Sequence, residues 1–156
     1  MGVSGAGKTT VGRKLAAGLG WSFYEGDDFH SPASIEKMGR GIALTDEDRR
    51  PWLAALRALI ERCLEKNENA VLACSALKQA YRQVLRGDDA EVVFVYLEAP
   101  PGLLAARLEH RAGHFAKRDL LPSQLATLEE PRDAVVVDAS AAPEGIVGVI
   151  RERLAI

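Results

Sequence analysis

Directly after Met1 the chain reads Gly2-Val3-Ser4-Gly5-Ala6-Gly7-Lys8-Thr9, followed by Thr10, and this stretch decides the fold class. It matches the pattern G-x-x-x-x-G-K-[S/T], in which glycines let the backbone curl so that its N–H groups face phosphate oxygens. Lys8 can then reach the β- and γ-phosphates of a nucleotide, and the Thr9 hydroxyl can ligate Mg²⁺. Residues 2–10 therefore predict a site for ATP and Mg²⁺, a property that kinases share with other nucleotide-hydrolysing proteins.

The rest of the chain alternates between strand and helix patterns. Short apolar runs predict buried strands at Trp21–Glu25, Ala70–Cys74, Val92–Leu97 and Ala134–Val137. Amphipathic patterns predict helices at Lys8–Leu19, Asp48–Lys66 (with Asp48 as N-cap), Leu77–Arg86, Gly102–Arg111 and Pro143–Leu154. Continuous apolar strands separated by helices are typical of a parallel sheet covered on both faces, which predicts one α/β domain over residues 1–156.

One feature is unusual for a phosphate loop. Such loops normally emerge from a central parallel strand, but only Met1 precedes Gly2. We therefore expect a gap in the middle of the sheet, with exposed edges on the neighbouring strands. One hypothesis is that Met1 is an internal methionine and that the missing strand is encoded upstream, which the upstream reading frame would test.

Composition and charge disfavour several classes of protein. The chain has 156 residues, of which 47% are hydrophobic and 27% charged, with a net charge of −2. These values favour a globular domain and disfavour a nucleic-acid binder, which more often has a strong basic excess. We expect no membrane partner, because no apolar run approaches the ~20 residues that a membrane helix needs and no signal peptide opens the chain. Cys63 and Cys74 lack metal-ligand spacing, which favours reduced thiols in a cytoplasmic protein.

Candidate acceptor-side residues follow the strands at the expected ligand-binding edge of the sheet. Asp27 follows the predicted strand Trp21–Glu25, separated from it by Gly26. A carboxylate at this position can orient an acceptor hydroxyl and take its proton. Arg49 lies beside several acids, so it is either a surface charge or part of an arginine fork for a substrate carboxylate. Arg107 and Arg111 share a helix face, either as solvated side chains or with ATP between them. The region Ala112–Pro122 lacks a clear period and is predicted to be mobile.

Taken together, the sequence resembles the small gluconate kinases. The resemblance covers nearly the whole chain, and its most specific blocks are Cys-Ser-Ala-Leu-Lys and Gly-His-Phe. It rests on residues 2–9, 26–30, 36–38, 44–53, 73–78, 81–82, 111–115 and 123–129. The family implies a shikimate-kinase-like three-layer P-loop kinase fold with a lid at about 111–122. It also implies transfer of a phosphoryl group from ATP to the 6-hydroxyl of D-gluconate.

The resemblance also implies roles for individual residues. Lys8 and Asp27 would be catalytic, with Asp27 as the base that positions the acceptor hydroxyl. The implied gluconate contacts are Asp27, His30, Arg49, Lys78 and Arg82, with His114 and Gln124 added from the lid side. The implied ATP contacts beyond the phosphate loop are Arg107 over adenine and Arg111 and Lys117 on the phosphates. Relatives in this family are often dimers, so a homodimer is one expected assembly.

Four positions depart from the usual family pattern: Glu25, Ser31, Ser34 and Leu125. They lie in the substrate-side loop and near the lid, so they bear on the choice of sugar acid and leave phosphate binding intact. Three alternatives stay open. The chain is another kinase of this fold, acting on shikimate, a nucleoside monophosphate or a related sugar acid; or it is a non-catalytic nucleotide-binding module; or it is a poorly folded fragment of the enzyme.

Overall fold

The structure is a computed structural model that describes the backbone of residues 1–110 and 115–156, with the side chains of 115–119 left out of the description. Strands and helices alternate along the chain as predicted for an α/β fold. In chain order, the described elements are α1 (Lys8–Leu19), β1 (Ser22–Glu25), a 3-10 turn (Gly26–Phe29), α2 (Pro32–Gly39), α3 (Asp46–Glu65), β2 (Ala70–Ala73), α4 (Gln79–Arg86), β3 (Val95–Glu98), α5 (Pro101–Glu109), α6 (Phe115–Thr127), β4 (Val135–Asp138) and α7 (Pro143–Leu154).

The described strands form two parallel pairs. β1 pairs with β2, placing Ser22 opposite Ala70, and β3 pairs with β4, placing Val95 opposite Val135. All four predicted strands are therefore confirmed, with ends that differ from the prediction by at most three residues. Within each pair the parallel direction places both carboxyl ends at the same edge, which is where ligands bind in open α/β sheets.

The expected gap in the sheet lies between β2 and β3. Met1 occupies one position of it: its amino group donates to the carbonyl oxygen of Val95, and the Leu97 N–H donates to the Met1 carbonyl at 3.0 Å. The Gly2 N–H bonds to the Ser75 carbonyl at 3.2 Å, just beyond β2. These bonds place the start of the phosphate loop between the two strand pairs, at the carboxyl edge of the sheet.

A cavity of about 680 Å³ occupies the rest of this gap. Its walls are mostly apolar and come from both strand pairs and from the helices that cover them, including Val11, Leu15, Leu59, Val71, Leu85, Phe94, Val95 and Ile150. The Met1 amino group lies at its border, and burial lowers the pKa of that group to about 6. The cavity is a feature of the sheet interior, whereas the residues predicted for the active site lie at the sheet edge.

One prediction about local structure is wrong and one helix was not predicted. Helix α3 begins at Asp46 with Thr45 as its N-cap, so Asp48 is the third helical residue and not the cap. The two residues form a capping box, in which the Asp48 N–H donates to Thr45 Oγ1 at 3.1 Å and the Asp48 carboxylate accepts the Thr45 N–H at 2.9 Å. Residues 115–122, which fall in the segment predicted to be mobile, lie in helix α6, which the sequence pattern did not predict.

The described core consists of two apolar clusters. One packs α1, α5 and α7 against β3 and β4, and the other packs α3 and α4 against β2. Buried Leu120 and Leu121 pack α6 onto the protein, so tertiary contacts support this helix despite its irregular sequence pattern. No helix in the described part of the chain combines the length and apolar character that crossing a lipid bilayer requires.

Candidate active site

The phosphate loop adopts the curled backbone that its sequence predicts. Gly7 has φ 94° and forms the N-cap of α1, and Gly5 has φ 85°, a region that residues with a side chain rarely adopt. A Cβ at Gly5 would also lie 2.9 Å from the Leu104 carbonyl oxygen. The Lys8 ammonium folds back over the loop and donates to the Val3 carbonyl at 3.0 Å. Glycine at these positions therefore allows the loop to pack tightly and to adopt the curled backbone that an anion-binding loop at a helix N-terminus requires.

Oxygen groups from β1 meet the phosphate loop in a small cleft. The Thr9 hydroxyl donates to Glu25 Oε2 at 2.7 Å, and Asp27 follows Glu25 in the turn after the strand. The cleft has a volume of about 40 Å³ and is lined by Ser4, Gly5, Gly7, Lys8, Thr9, Glu25, Asp27 and Leu108. Mg²⁺ prefers hard oxygen ligands and usually combines one or two carboxylates with waters and substrate phosphates. The hydroxyl and the two carboxylates of this cleft fit that preference.

Trp52 holds the turn that carries Asp27. Its indole Nε1 donates to the Gly26 carbonyl at 2.7 Å, and the side chain is only 2% exposed. The His30 ring stacks on Trp52, with 4.7 Å between ring centroids and 9° between planes. Burial lowers the pKa of His30, an effect that the nearby Asp27 carboxylate opposes and Arg49 reinforces. Asp27, His30 and Arg49 are therefore close enough to influence one another, and His30 is neutral near pH 7.

The lowered pKa of His30 predicts a change of stability with pH. The unfolded chain binds a proton at a pKa of about 6.5, whereas the folded chain binds it only at lower pH, so the free energy of unfolding falls as pH drops below that value. His30→Phe keeps a ring on Trp52 and removes the titration. We expect urea unfolding at pH 5.5 and 7.5 to show a smaller pH dependence for His30→Phe than for the wild type.

His110 offers a matched control, because it is exposed and lies directly after α5. His110→Gln should keep the pH dependence of the wild type. Equal pH dependence in His30→Phe and the wild type would contradict the placement of a buried neutral imidazole on Trp52.

A cluster of charged and aromatic side chains continues from His30 toward α4. The Arg49 guanidinium lies 5.7 Å from the centroid of the Tyr81 ring, and its Nη1 donates to the Leu44 carbonyl. Lys78 Nζ bonds to both carboxylate oxygens of Asp46, at 2.7 and 2.9 Å, and Tyr81 donates its hydroxyl proton to Asp46 Oδ1. The structure thus brings the predicted residues Arg49 and Lys78 together around Tyr81.

Two further residues predicted to contact gluconate, Arg82 and Gln124, also have protein partners in the structure. Arg82 is 2% exposed, and its guanidinium donates to the carbonyls of Ala76 and Leu77 and to Gln79 Oε1, at 2.8–3.0 Å. This geometry supports a role in holding the loop that follows β2. Gln124 Oε1 accepts the Ser4 N–H at 2.7 Å, which places this side chain against the phosphate loop.

Arg107, which was predicted to cover the adenine, has a described side chain, whereas the side chains of Arg111, His114 and Lys117 are not described. Arg107 Nη2 donates to the Ala139 carbonyl at 2.8 Å and its Nη1 approaches the Gly5 carbonyl at 3.5 Å, so this side chain spans the phosphate loop and the segment after β4. Arg111 and His114 lie outside the described residues, as does the side chain of Lys117. The predicted lid contacts therefore stay predictions.

Sequence reasoning missed two acids that the structure places in the site. Glu25 was noted only as a departure from the family pattern, yet its carboxylate contacts the Thr9 hydroxyl. Its position at the end of β1, two residues before Asp27, is the signal that could have identified it. Asp46 was treated as one of several surface charges, and nothing in the local sequence indicates that it reaches Lys78, which is 32 residues away.

The chain as a whole is similar to several known proteins. The family model described as shikimate kinase matches residues 4–150. A gluconokinase of Gluconobacter oxydans (strain 621H) is 55% identical over 133 residues, which cover 85% of this chain and 75% of that protein. A sugar kinase from Janibacter sp. HTCC2649 has a TM-score of 0.92 and 43% identity, covering 100% of this chain and 92% of its own. A gluconokinase from Sinorhizobium meliloti 1021 has a TM-score of 0.83 and 43% identity, covering 99% and 93% of the two chains.

Proposed function

This chain belongs to the gluconokinase family of shikimate-kinase-like P-loop kinases, and from that premise we propose that it transfers the γ-phosphoryl group of ATP to the 6-hydroxyl of D-gluconate. The observation that carries the proposal is the cleft shared by the phosphate loop and the turn after β1. One wall of this cleft supplies Lys8 and Thr9, and the opposite wall supplies Glu25 and Asp27. A nucleotide phosphate and an acceptor hydroxyl would therefore meet between a cation and a base.

Phosphoryl transfer requires alignment of two oxygens and neutralisation of phosphate charge. The loop N–H groups and Lys8 would hold the β- and γ-phosphates, and Asp27 would accept the proton of the attacking hydroxyl. Mg²⁺, held by the Thr9 hydroxyl and the nucleotide, supplies further neutralisation of charge when bound. The contact with Glu25 orients the Thr9 hydroxyl so that its oxygen lone pairs are free for this role.

The acceptor would lie along the cluster from Asp27 through His30 to Arg49. The His30 Nδ1 is buried without a hydrogen-bond partner among the described residues, which suits a contact with a substrate hydroxyl. Arg49 would bind the carboxylate of gluconate. Arg107 would cover the adenine, and Arg111 and Lys117 would close over the phosphates and exclude water. His114 would contact gluconate from the lid side. Arg82 would hold the loop that follows β2 in place, and Gln124 would hold the phosphate loop in place.

Several broader expectations remain predictions from the sequence. They are a cytoplasmic location, a homodimeric assembly and the absence of nucleic-acid and membrane partners.

A coupled assay of ADP release tests the proposed acceptor. We expect kcat/KM to be higher for D-gluconate than for other aldonates, shikimate or nucleoside monophosphates. A higher kcat/KM for shikimate or a nucleoside monophosphate would contradict the assignment of gluconate as the acceptor.

Arg49→Ala tests the proposed contact with the substrate carboxylate. Loss of a charge-assisted hydrogen bond to an anion typically costs about 1.5 kcal/mol or more, so we expect the KM for gluconate to rise about tenfold. The KM for ATP should change little, because Arg49 lies on the acceptor side. Arg50→Ala, at the exposed neighbouring position, is the control. An unchanged KM for gluconate in Arg49→Ala would remove this residue from the substrate site.

A further inference from the structure

The cations of the acceptor cluster differ in how much of their charge is already neutralised. Lys78 is paired with Asp46 through both carboxylate oxygens, and this contact raises the pKa of Lys78 and lowers that of Asp46. No carboxylate forms an ion pair with Arg49 among the described side chains; its guanidinium contacts the Leu44 carbonyl and the face of the Tyr81 ring. The Lys78–Asp46 pair has no net charge. The Asp46 carboxylate also lies within electrostatic range of Arg49 but forms no ion pair with it, so Arg49 carries the remaining positive charge of the cluster.

The remaining hydrogen-bonding capacity of the pair suits hydroxyl groups. An ammonium group has three donors, so Lys78 keeps at least one N–H for a ligand after bonding to the two oxygens of Asp46. Tyr81 donates its proton to Asp46, so its phenolic oxygen still accepts a hydrogen bond. A neighbouring donor and acceptor without net charge match an alcohol better than they match a carboxylate.

The three acids in the first turn of α3 have different partners, so the contact of Asp46 with α4 can be considered separately. Asp48 completes the capping box of α3 and pairs with Lys37 at 2.8 Å. Glu47 is exposed and has no ion pair among the described residues. Asp46 alone among these three acids reaches across to α4. Its side chain is 63% exposed, and exposed ion pairs contribute little to stability, so the contact has little value as a structural brace.

We propose that Asp46 is a specificity-determining residue that neutralises and orients Lys78 and Tyr81 to bind hydroxyl groups of the acceptor, leaving Arg49 to bind its carboxylate. This inference rests on the proposed function, because it assumes that the acceptor is a sugar acid. The hydroxyls of the acceptor are assigned to Lys78 and Tyr81, and its carboxylate is assigned to Arg49. Lys78 would otherwise compete with Arg49 for the carboxylate, and the acceptor chain could bind in two directions. With Asp46 in place, the charged end of the acceptor is drawn to Arg49 alone.

Gluconamide separates the two kinds of contact, since it has the hydroxyls of gluconate but no charge. We would measure its Ki as a competitive inhibitor beside the KM for gluconate. In Asp46→Asn we expect the Ki of gluconamide to rise about tenfold. The KM for gluconate should rise by a smaller factor, because the released Lys78 attracts its carboxylate. Arg49→Ala should give the opposite pattern, with a higher KM for gluconate and a Ki for gluconamide within twofold of wild type.

Glu47→Gln is the matched control, because it removes a neighbouring charge from the same helix turn, and both constants should stay within twofold. Tyr81→Phe is a second test that keeps the ring beneath Arg49, and it should weaken gluconamide in the same direction as Asp46→Asn. The KM for ATP should stay within twofold in every variant, which confirms a folded protein.

Two results would overturn the inference. One is an unchanged Ki for gluconamide in Asp46→Asn, and the other is the same pattern of constants in Asp46→Asn and Arg49→Ala. These results differ from a failure of the proposed function, in which the wild-type chain would not phosphorylate gluconate at all.

Discussion

Lys8→Ala is expected to lower the rate of phosphoryl transfer about a thousandfold, since it removes a positive charge from the place where negative charge develops. Lys8 begins α1 and lines the cleft that also contains Thr9 and Asp27. Its ammonium already lies over the phosphate loop, bonded to the Val3 carbonyl at 3.0 Å. Single-turnover ADP release with saturating gluconate would measure the loss, because it separates the transfer step from product release.

Lys14→Ala provides a control for the change of charge on the same helix. Lys14 is 47% exposed and pairs with Glu144 at 2.7 Å, away from the cleft. We expect its transfer rate to stay within twofold of wild type, since exposed ion pairs contribute little even to stability. Turnover near the wild-type level in Lys8→Ala would show that the phosphate loop does not hold the reacting nucleotide.

Asp27→Asn is expected to lower kcat by about a hundredfold to a thousandfold while leaving the Kd for ATP within about threefold. General-base catalysis typically contributes a factor of this size, and asparagine keeps the shape of the side chain but cannot accept a proton. Asp27 projects from the turn that the Trp52 indole holds at Gly26, so the substitution should not disturb the backbone. Steady-state kinetics and titration with a non-hydrolysable ATP analogue would measure the two constants.

The neighbouring acid gives the matched control for this change. Asp28 is exposed in the same turn and does not line the cleft, so Asp28→Asn should retain kcat within twofold. If Asp27→Asn keeps near-normal turnover, Asp27 is not the base, and Glu25 becomes the next carboxylate of the cleft to test.

The fold was predictable where the sequence carries a strong local pattern. The phosphate loop, α1 and the strands follow from glycine placement, β-branched runs and helix periodicity, and the predicted gap beside Met1 is present between β2 and β3. Helix α6 was missed because Pro122 and a mixed composition hide its period, and burial of Leu120 and Leu121 stabilises it through tertiary contacts. Thr45 was overlooked as the cap of α3 because three acids follow it.

The candidate site was predictable in its residues more than in their partners. The motif placed Lys8 and Thr9, and the position after β1 placed Asp27, all of which meet in one cleft. The partners of Gln124 and Arg82 depend on how distant segments pack, since Gln124 bonds to Ser4 across 120 residues. Local patterns do not encode such contacts, and the same holds for the pairing of Asp46 with Lys78.

The central claim is that this cleft joins ATP to a sugar-acid hydroxyl, and phosphorus NMR of a complete reaction tests it most directly. Purified protein would be incubated with ATP, Mg²⁺ and D-gluconate, with identically prepared Asp27→Asn as the blank. The account predicts ADP and a phosphate monoester on the 6-oxygen of gluconate in equal amounts from the wild type, and almost none from the variant. Inorganic phosphate as the only product, or no ADP above the blank with any sugar acid, would contradict it.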